Sequence, residues 1–94
     1  MIHVFVTYRC KPGKREEFYN EIKRRGLDAK SRAEEGNSRY EYFFSVEEPD
    51  SILLAEEWKD ADAFAFHFET PHLKELQSLK GEYLVGSEVF RRED

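Results

Sequence analysis

The sequence has little of several features that mark particular classes of protein. It contains one cysteine, Cys10, so no internal disulfide can form and a reducing cytoplasm is the simplest environment. No apolar run approaches the roughly 20 residues that a membrane-spanning helix needs, and the first residues do not resemble a signal peptide. Lys and Arg number 15 against 20 Asp and Glu. We therefore expect a cytoplasmic protein that binds neither nucleic acid nor membrane, since both partners select basic surfaces.

The usual fingerprints of cofactor-dependent enzymes are also absent from the sequence. There is no G-x-G-x-x-G, no P-loop, no C-x-x-C and no G-x-S-x-G. These absences argue against a flavin or nicotinamide site and against a serine-hydrolase site. We expect no cofactor.

Two of the three histidines, His67 and His72, lie five residues apart in the stretch FAFHFETPHLKEL. A helix advances about 100° per residue, so this spacing places them about 140° out of phase. Pro71 also interrupts the helix between them, and helical metal pairs need a spacing of three or four. From this spacing we predict that they are not a metal site.

The periodicity of the chain predicts four strands and three helices in one domain of residues 1–94. Lys11-Pro12-Gly13 ends the first strand, and a helix from Lys14 crosses Gly26 at a cost of about 1 kcal/mol. Asp60 and Thr70 are predicted N-caps of two short helices. The predicted strands are Ile2–Arg9, Arg39–Val46, Ser51–Trp58 and Leu84–Arg91; the predicted helices are 14–35, Ala61–Phe68 and one from Pro71 that ends near Gly81.

The order β-α-β-β-α-β, with its second helical part broken in two, predicts a ferredoxin-like α+β fold with a four-stranded antiparallel sheet. Such a sheet has helices on one face only. However, Ile52-Leu53-Leu54-Ala55 is a continuous apolar run, and the adjacent Phe43 and Phe44 point to opposite faces. Something must cover the second face, so we predict a homodimer in which a second copy does so.

Three segments and their spacing resemble the antibiotic biosynthesis monooxygenase (ABM) domain. They are Gly36-Asn37…Arg39-Tyr40-Glu41, Glu56-Glu57-Trp58-Lys59-Asp60 and His67…Thr70-Pro71-His72. The resemblance covers nearly the whole chain. It implies a dimeric α+β barrel with a pocket between each sheet and its own helices. Members of the family include cofactor-independent monooxygenases of quinols and polyketide phenols, an isomerase of a phosphorylated autoinducer-2 sugar, and haem-degrading enzymes.

With this resemblance we expect His67 to be a general base, because an imidazole with a pKa near neutral suits that role. Its simpler alternative is a half-buried structural histidine at the edge of an apolar helix face. Other residues of the expected pocket also have structural alternatives, in the core, at a helix end or on the surface. They are Trp58 and Tyr40 as walls, Glu56 to orient a histidine or pair with Arg39, and Arg39, Asn37 and His72 as donors to an anion or to oxygen.

The reading we favour is a cofactor-independent monooxygenase of a small quinol or phenol-like aromatic. A second reading is an isomerase of a small phosphorylated sugar or dicarbonyl, for which Lys14, Arg24 or Arg25 would have to bind phosphate. Haem degradation is disfavoured, because the position of that branch's haem-ligating histidine falls at Gln77. A non-catalytic ligand-binding dimer stays open.

Overall fold

The computed structural model describes residues 1–94, and its elements follow the predicted order. In chain order they are β1 (Ile2–Cys10), α1 (Arg15–Arg24), α2 (Leu27–Arg32), β2 (Asn37–Phe44), β3 (Ser51–Trp58), α3 (Ala61–His67), α4 (Pro71–Tyr83) and β4 (Leu84–Glu93). No helix is long and apolar enough to cross a membrane.

The four strands form one antiparallel sheet in the order β2-β3-β1-β4. Strand β1 lies at the centre, where Val4 pairs with Glu56 of β3 and Val6 pairs with Leu54. On its other side Phe5 pairs with Phe90 of β4. This topology confirms the predicted ferredoxin-like α+β fold.

The single helix predicted for residues 14–35 is wrong, because the chain breaks at Gly26. Gly26 has φ +67, in the left-handed region that glycine adopts without steric cost, and it separates α1 from α2. Phe18 and Ile22 of α1 are buried against the sheet, whereas α2 buries Leu27. The break therefore turns the chain between two helices that both reach the core.

The second helical part is divided as predicted. The Asp60 carboxylate accepts a hydrogen bond from the Ala63 N–H at the start of α3. Thr70 caps α4 by accepting from the Leu73 N–H, and its hydroxyl also donates to the carbonyl of His67 at 2.7 Å. This second bond ties the end of α3 to the start of α4. Helix α4 continues through Gly81 to Tyr83, slightly beyond its predicted end.

Gly36 brings the turn after α2 against α3. Its φ is +88, and a Cβ at this position would lie 2.7 Å from the Ala63 Cβ. Only a residue without a side chain permits this approach. The preceding turn residue, Glu34, is thereby held beside the last turn of α3.

The two faces of the sheet differ in how they are covered. The helices cover the face that carries Val4, Val6 and Tyr8, which are all buried. The opposite face exposes Phe5, Phe43 and Phe90, the last with 61% of its surface accessible. Ala55 is nevertheless buried on that face. An apolar patch therefore lies uncovered on the outer face of the sheet.

Candidate active site

A cavity of about 110 Å³ lies between the covered face of the sheet and helices α3 and α4. Its walls come from all four strands and both helices. Val89 of β4 lines it while remaining 66% exposed, so the cavity opens to solvent on the β4 side. The residues that matter most for its chemistry are Tyr8, Tyr40, Glu56, His67, Gln77 and Lys80.

His67 lines this cavity from the last turn of α3 and is only 2% exposed. Its Nδ1 lies 2.5 Å from Oε2 of Glu34. A carboxylate oxygen accepts, so Nδ1 carries the proton and donates. Nε2 then holds the lone pair, and no protein group hydrogen-bonds to it. The carboxylate thus fixes the tautomer in which Nε2 can accept a proton.

His72 contacts the same carboxylate oxygen from the first turn of α4. Its Nε2 lies 2.7 Å from Oε2 of Glu34. The side chain of Glu34 is only 6% exposed, and its second oxygen, Oε1, is buried without a hydrogen-bond partner. The five-residue spacing keeps the two histidines apart only within a single helix. The chain bends at Thr70 and brings both imidazoles to one residue from a third segment.

Sequence reasoning missed Glu34, which it treated as part of a helix end. The residue lies 33 positions from His67 and 38 from His72, in no motif with either. Its only sequence signal is its place two residues before Gly36, the glycine that packs against α3.

Aromatic rings surround the His67 imidazole. The Trp58 ring centroid lies 4.8 Å from that of His67, and the Tyr40 ring meets it edge-on at 5.8 Å. Burial lowers the pKa of His67, although the hydrogen bond that its Nδ1–H donates to Glu34 opposes this effect. The imidazole is therefore neutral at physiological pH, as a general base must be before it acts.

Glu56 and Lys80 place two ionisable groups on the cavity wall. Burial raises the pKa of Glu56 to about 7, opposed by the hydrogen bond from Trp58 Nε1 at 2.9 Å and by the charge of Lys80. Burial also lowers the pKa of Lys80, whose ammonium lies 4.7 Å from the centre of the Tyr8 ring. The cavity thus combines an apolar wall, a fixed proton acceptor, a carboxyl whose pKa is about 7, and a half-buried ammonium.

The structure brings some of the predicted site residues to the cavity and places others elsewhere. His67, Tyr40 and Glu56 line it. Trp58 is fully buried and does not line the cavity, but its ring packs against the imidazole of His67. His72 also lies outside the cavity wall, where it forms a hydrogen bond with Glu34. The expected contact of Glu56 with a histidine or with Arg39 is not present, because Glu56 accepts from Trp58.

Arg39 and Asn37 lie on the edge strand β2 but do not line the cavity, although Tyr40 of the same strand does. The guanidinium of Arg39 pairs with Glu41 at 2.9 Å. The amide of Asn37 donates to the backbone carbonyls of Arg39 and Glu57, where the register of β2 against β3 shifts. Both side chains have structural partners in this arrangement. Their roles as donors to a substrate stay predictions.

The cations that a phosphate would need are engaged in ion pairs outside the cavity. Arg24 and Arg25 both bind the carboxylate of Glu21. Lys14 lies 3.6 Å from Glu17. Of the Lys and Arg residues, Lys80 alone lines the cavity.

Comparison with known proteins supports the resemblance found in the sequence. Residues 1–79 match the sequence profile of the family described as antibiotic biosynthesis monooxygenase. A protein of Bacillus subtilis strain 168, named "Putative monooxygenase YcnE", is 40% identical over 99% of this chain and 97% of its own length.

Solved structures share the fold over the whole chain. A conserved protein from Methanosarcina mazei Go1 has a TM-score of 0.89 and 31% identity, covering 99% of this chain and 91% of its own. The structure titled "Putative antibiotic biosynthesis monooxygenase from Nitrosomonas europaea" also has a TM-score of 0.89, over 100% and 98% of the two chains. Its identity is 23%, so it supports the fold alone.

Proposed function

This chain belongs to the antibiotic biosynthesis monooxygenase family, and we propose that its cavity oxygenates a small quinol or phenol-like aromatic with O2 and without a cofactor. One observation carries the proposal. The only imidazole on the cavity wall is held by Glu34 in the tautomer that leaves a free lone pair on Nε2. A base so placed can deprotonate an aromatic hydroxyl, and deprotonation is the step that makes such a ring reactive toward O2.

The first step is proton transfer from the substrate hydroxyl to Nε2 of His67. The product imidazolium is stabilised by Glu34, which stays hydrogen-bonded to Nδ1. The phenolate that forms is negatively charged, and the ammonium of Lys80 is the cation on the cavity wall that can stabilise it. The tyrosine and phenylalanine rings of the wall, with Val4 and Val6, exclude water from the aromatic body.

The oxidation then balances without another reagent. The quinolate gives one electron to O2, and the semiquinone and superoxide combine to form a carbon–oxygen bond. A proton completes the hydroperoxide. Loss of the ring hydrogen at that carbon and cleavage of the O–O bond release water and leave a carbonyl. One hydroquinone and one O2 thus give one hydroxyquinone and one water.

The size of the cavity favours a substrate with a single ring. An apolar cavity of about 150 Å³ accommodates benzene, and the cavity here is about 110 Å³ with an open side. Larger polycyclic phenols would have to extend past Val89 into solvent. We therefore expect monocyclic hydroquinones to react better than anthrone-like phenols.

The test is O2 uptake with a panel of reduced quinones and no added cofactor. The rate of O2 uptake with wild type should exceed the rate of autoxidation. In His67→Ala the enzymatic rate should fall by about 10²–10⁴-fold, the usual contribution of a general base. His3→Ala is the control, because His3 contacts Asp94 and Glu57 on the opposite face of the sheet. Uptake that His67→Ala leaves unchanged would contradict the assignment. No uptake for any substrate would favour the isomerase or binding alternatives.

We also propose that a second copy of the chain covers the exposed face of the sheet. Phe5 and Phe90 form a ring pair there, with centroids 6.4 Å apart, and Phe43 lies on the same face. Exposed apolar patches of this kind mark association surfaces. Phe90→Glu should convert a dimer to a monomer in light scattering after gel filtration. Val46→Glu, at a fully exposed turn position, should leave it unchanged.

A further inference from the structure

We propose that Glu34, His67 and His72 bind a divalent transition-metal ion, and that the bound ion converts His67 from a proton acceptor into a donor. The second part rests on the proposed function, because it concerns the base of that reaction. The first part concerns binding alone.

The ligand geometry carries the first part. One nitrogen from each histidine and a carboxylate oxygen all lie within 4.8 Å of one another. The three side chains come from α3, α4 and the turn after α2, and all are largely buried. Oε1 of Glu34 is buried and has no partner, so a further ligand atom is available. Buried charges in proteins are usually paired or coordinate metals.

The donor set selects the class of ion. Two imidazole nitrogens and a carboxylate suit Zn²⁺, Co²⁺, Ni²⁺ and Fe²⁺, whereas Mg²⁺ and Ca²⁺ prefer oxygen ligands alone. Bonds of about 2.0–2.2 Å to the ion require both imidazoles to move away from Oε2 of Glu34, which now lies 2.5 Å from Nδ1 of His67 and 2.7 Å from Nε2 of His72. To bind, the ion replaces the hydrogens that now join the two histidines to Oε2 of Glu34.

The consequence for His67 follows from the chemistry of a neutral imidazole, which has one proton and one lone pair on its two nitrogens. In the hydrogen-bonded state the proton is on Nδ1 and the lone pair on Nε2. A metal that takes the lone pair of Nδ1 requires the proton to move to Nε2. The cavity side of the ring then donates a hydrogen bond and can no longer remove a proton from substrate.

The position of the ion makes it an inhibitor rather than an activator of oxygen. His67 lines the cavity, but neither Glu34 nor His72 does. The ion is bound on the Nδ1 side of the imidazole, behind the ring as seen from the substrate. It therefore acts on the reaction only through His67.

Titration calorimetry with ZnSO4 tests the binding on protein freed of metal with EDTA, near neutral pH. We expect one ion per chain. Glu34→Gln and His72→Ala should each weaken it by at least the roughly 10–100-fold that loss of an outer-shell partner costs, while His3→Ala should not. No heat beyond dilution, or an affinity that neither variant changes, would overturn the site; loss in His3→Ala would locate binding on the surface instead.

Nitrogen NMR of wild type tests the tautomer without depending on any variant. The His67 signals should change from protonated Nδ1 to protonated Nε2 when Zn²⁺ is added, and O2 uptake should fall with the same saturation. An unchanged tautomer in the zinc-bound protein would overturn the conversion. A changed tautomer with undiminished uptake would support the metal site and refute His67 as the base.

Discussion

Replacing Glu56 with glutamine should remove a pH dependence from the stability of the protein. Burial raises the pKa of this carboxyl from 4.5 to about 7, so the folded state binds the proton more tightly than the unfolded chain. The contribution of this protonated carboxyl to the free energy of unfolding is fully present below about pH 4.5 and is lost as the pH rises through about 7. Glutamine keeps an oxygen that can accept from Trp58 Nε1, but it does not titrate.

The magnitude follows from the difference between the two pKa values. At about 1.4 kcal/mol for each tenfold change in proton affinity, the full effect is about 3 kcal/mol. Between about pH 5 and about pH 8, where most of the linkage occurs, wild type should lose about 2–3 kcal/mol from this group. The charge of Lys80 lowers the pKa of Glu56 but does not outweigh the effect of burial, which keeps it at about 7.

Urea unfolding followed by circular dichroism, at equal protein concentration, measures the difference. The free energy of unfolding of Glu56→Gln, relative to that of wild type, should be about 2–3 kcal/mol higher at about pH 8 than at about pH 5. Glu41→Gln is the matched control, because Glu41 lies on β2 with its side chain exposed, and it should stay within about 0.5 kcal/mol of wild type at both values. A Glu56→Gln effect of equal size at both pH values would refute the reasoning.

Two further predictions concern other parts of the site. Lys80→Met should raise the pKa of Glu56 above its value of about 7, since the charge of Lys80 lowers that pKa. Carbon NMR of the Glu56 carboxyl measures the pKa, and an unchanged titration would contradict the coupling between the two side chains. Gly36→Ala should destabilise more than Gly26→Ala, by thermal or urea unfolding, and should also lower activity. Both have positive φ and share a backbone cost of about 1 kcal/mol, but only at Gly36 would the new Cβ meet Ala63. Equal losses of stability in the two variants would contradict this, because they would show that the turn at Gly36 adjusts to the new Cβ without displacing α3.

Local patterns were enough to predict the fold. The cap residues Asp60 and Thr70 were found because capping is a contact over three residues. The break at Gly26 was not, because a glycine tolerated in a helix and one that ends it look alike in sequence. What decides between them is whether both halves can reach the core, as Ile22 and Leu27 do.

The candidate site was only partly predictable for a similar reason. His67 was identified from its position at the edge of an apolar helix face and from family resemblance. Glu34 and Lys80 were not, because each reaches the cavity region from a separate element through tertiary packing. Arg39 has a residue type suited to binding anions, but it precedes the cavity-lining Tyr40 on β2, so its side chain points to the opposite face of the sheet, over Phe43. Pattern alone gives residue type and face, not the partner across the core.

The single tryptophan of the chain gives the site an optical signal of its own. The Trp58 indole donates to Glu56 and lies 4.8 Å from the centre of the His67 ring. Its emission therefore comes from one fully buried environment and carries no contribution from any other indole. Ionisation of Glu56 changes the field on the excited indole, and an imidazolium at His67 would quench it. Proton movements at the site can accordingly be followed in the unlabelled protein during a single turnover.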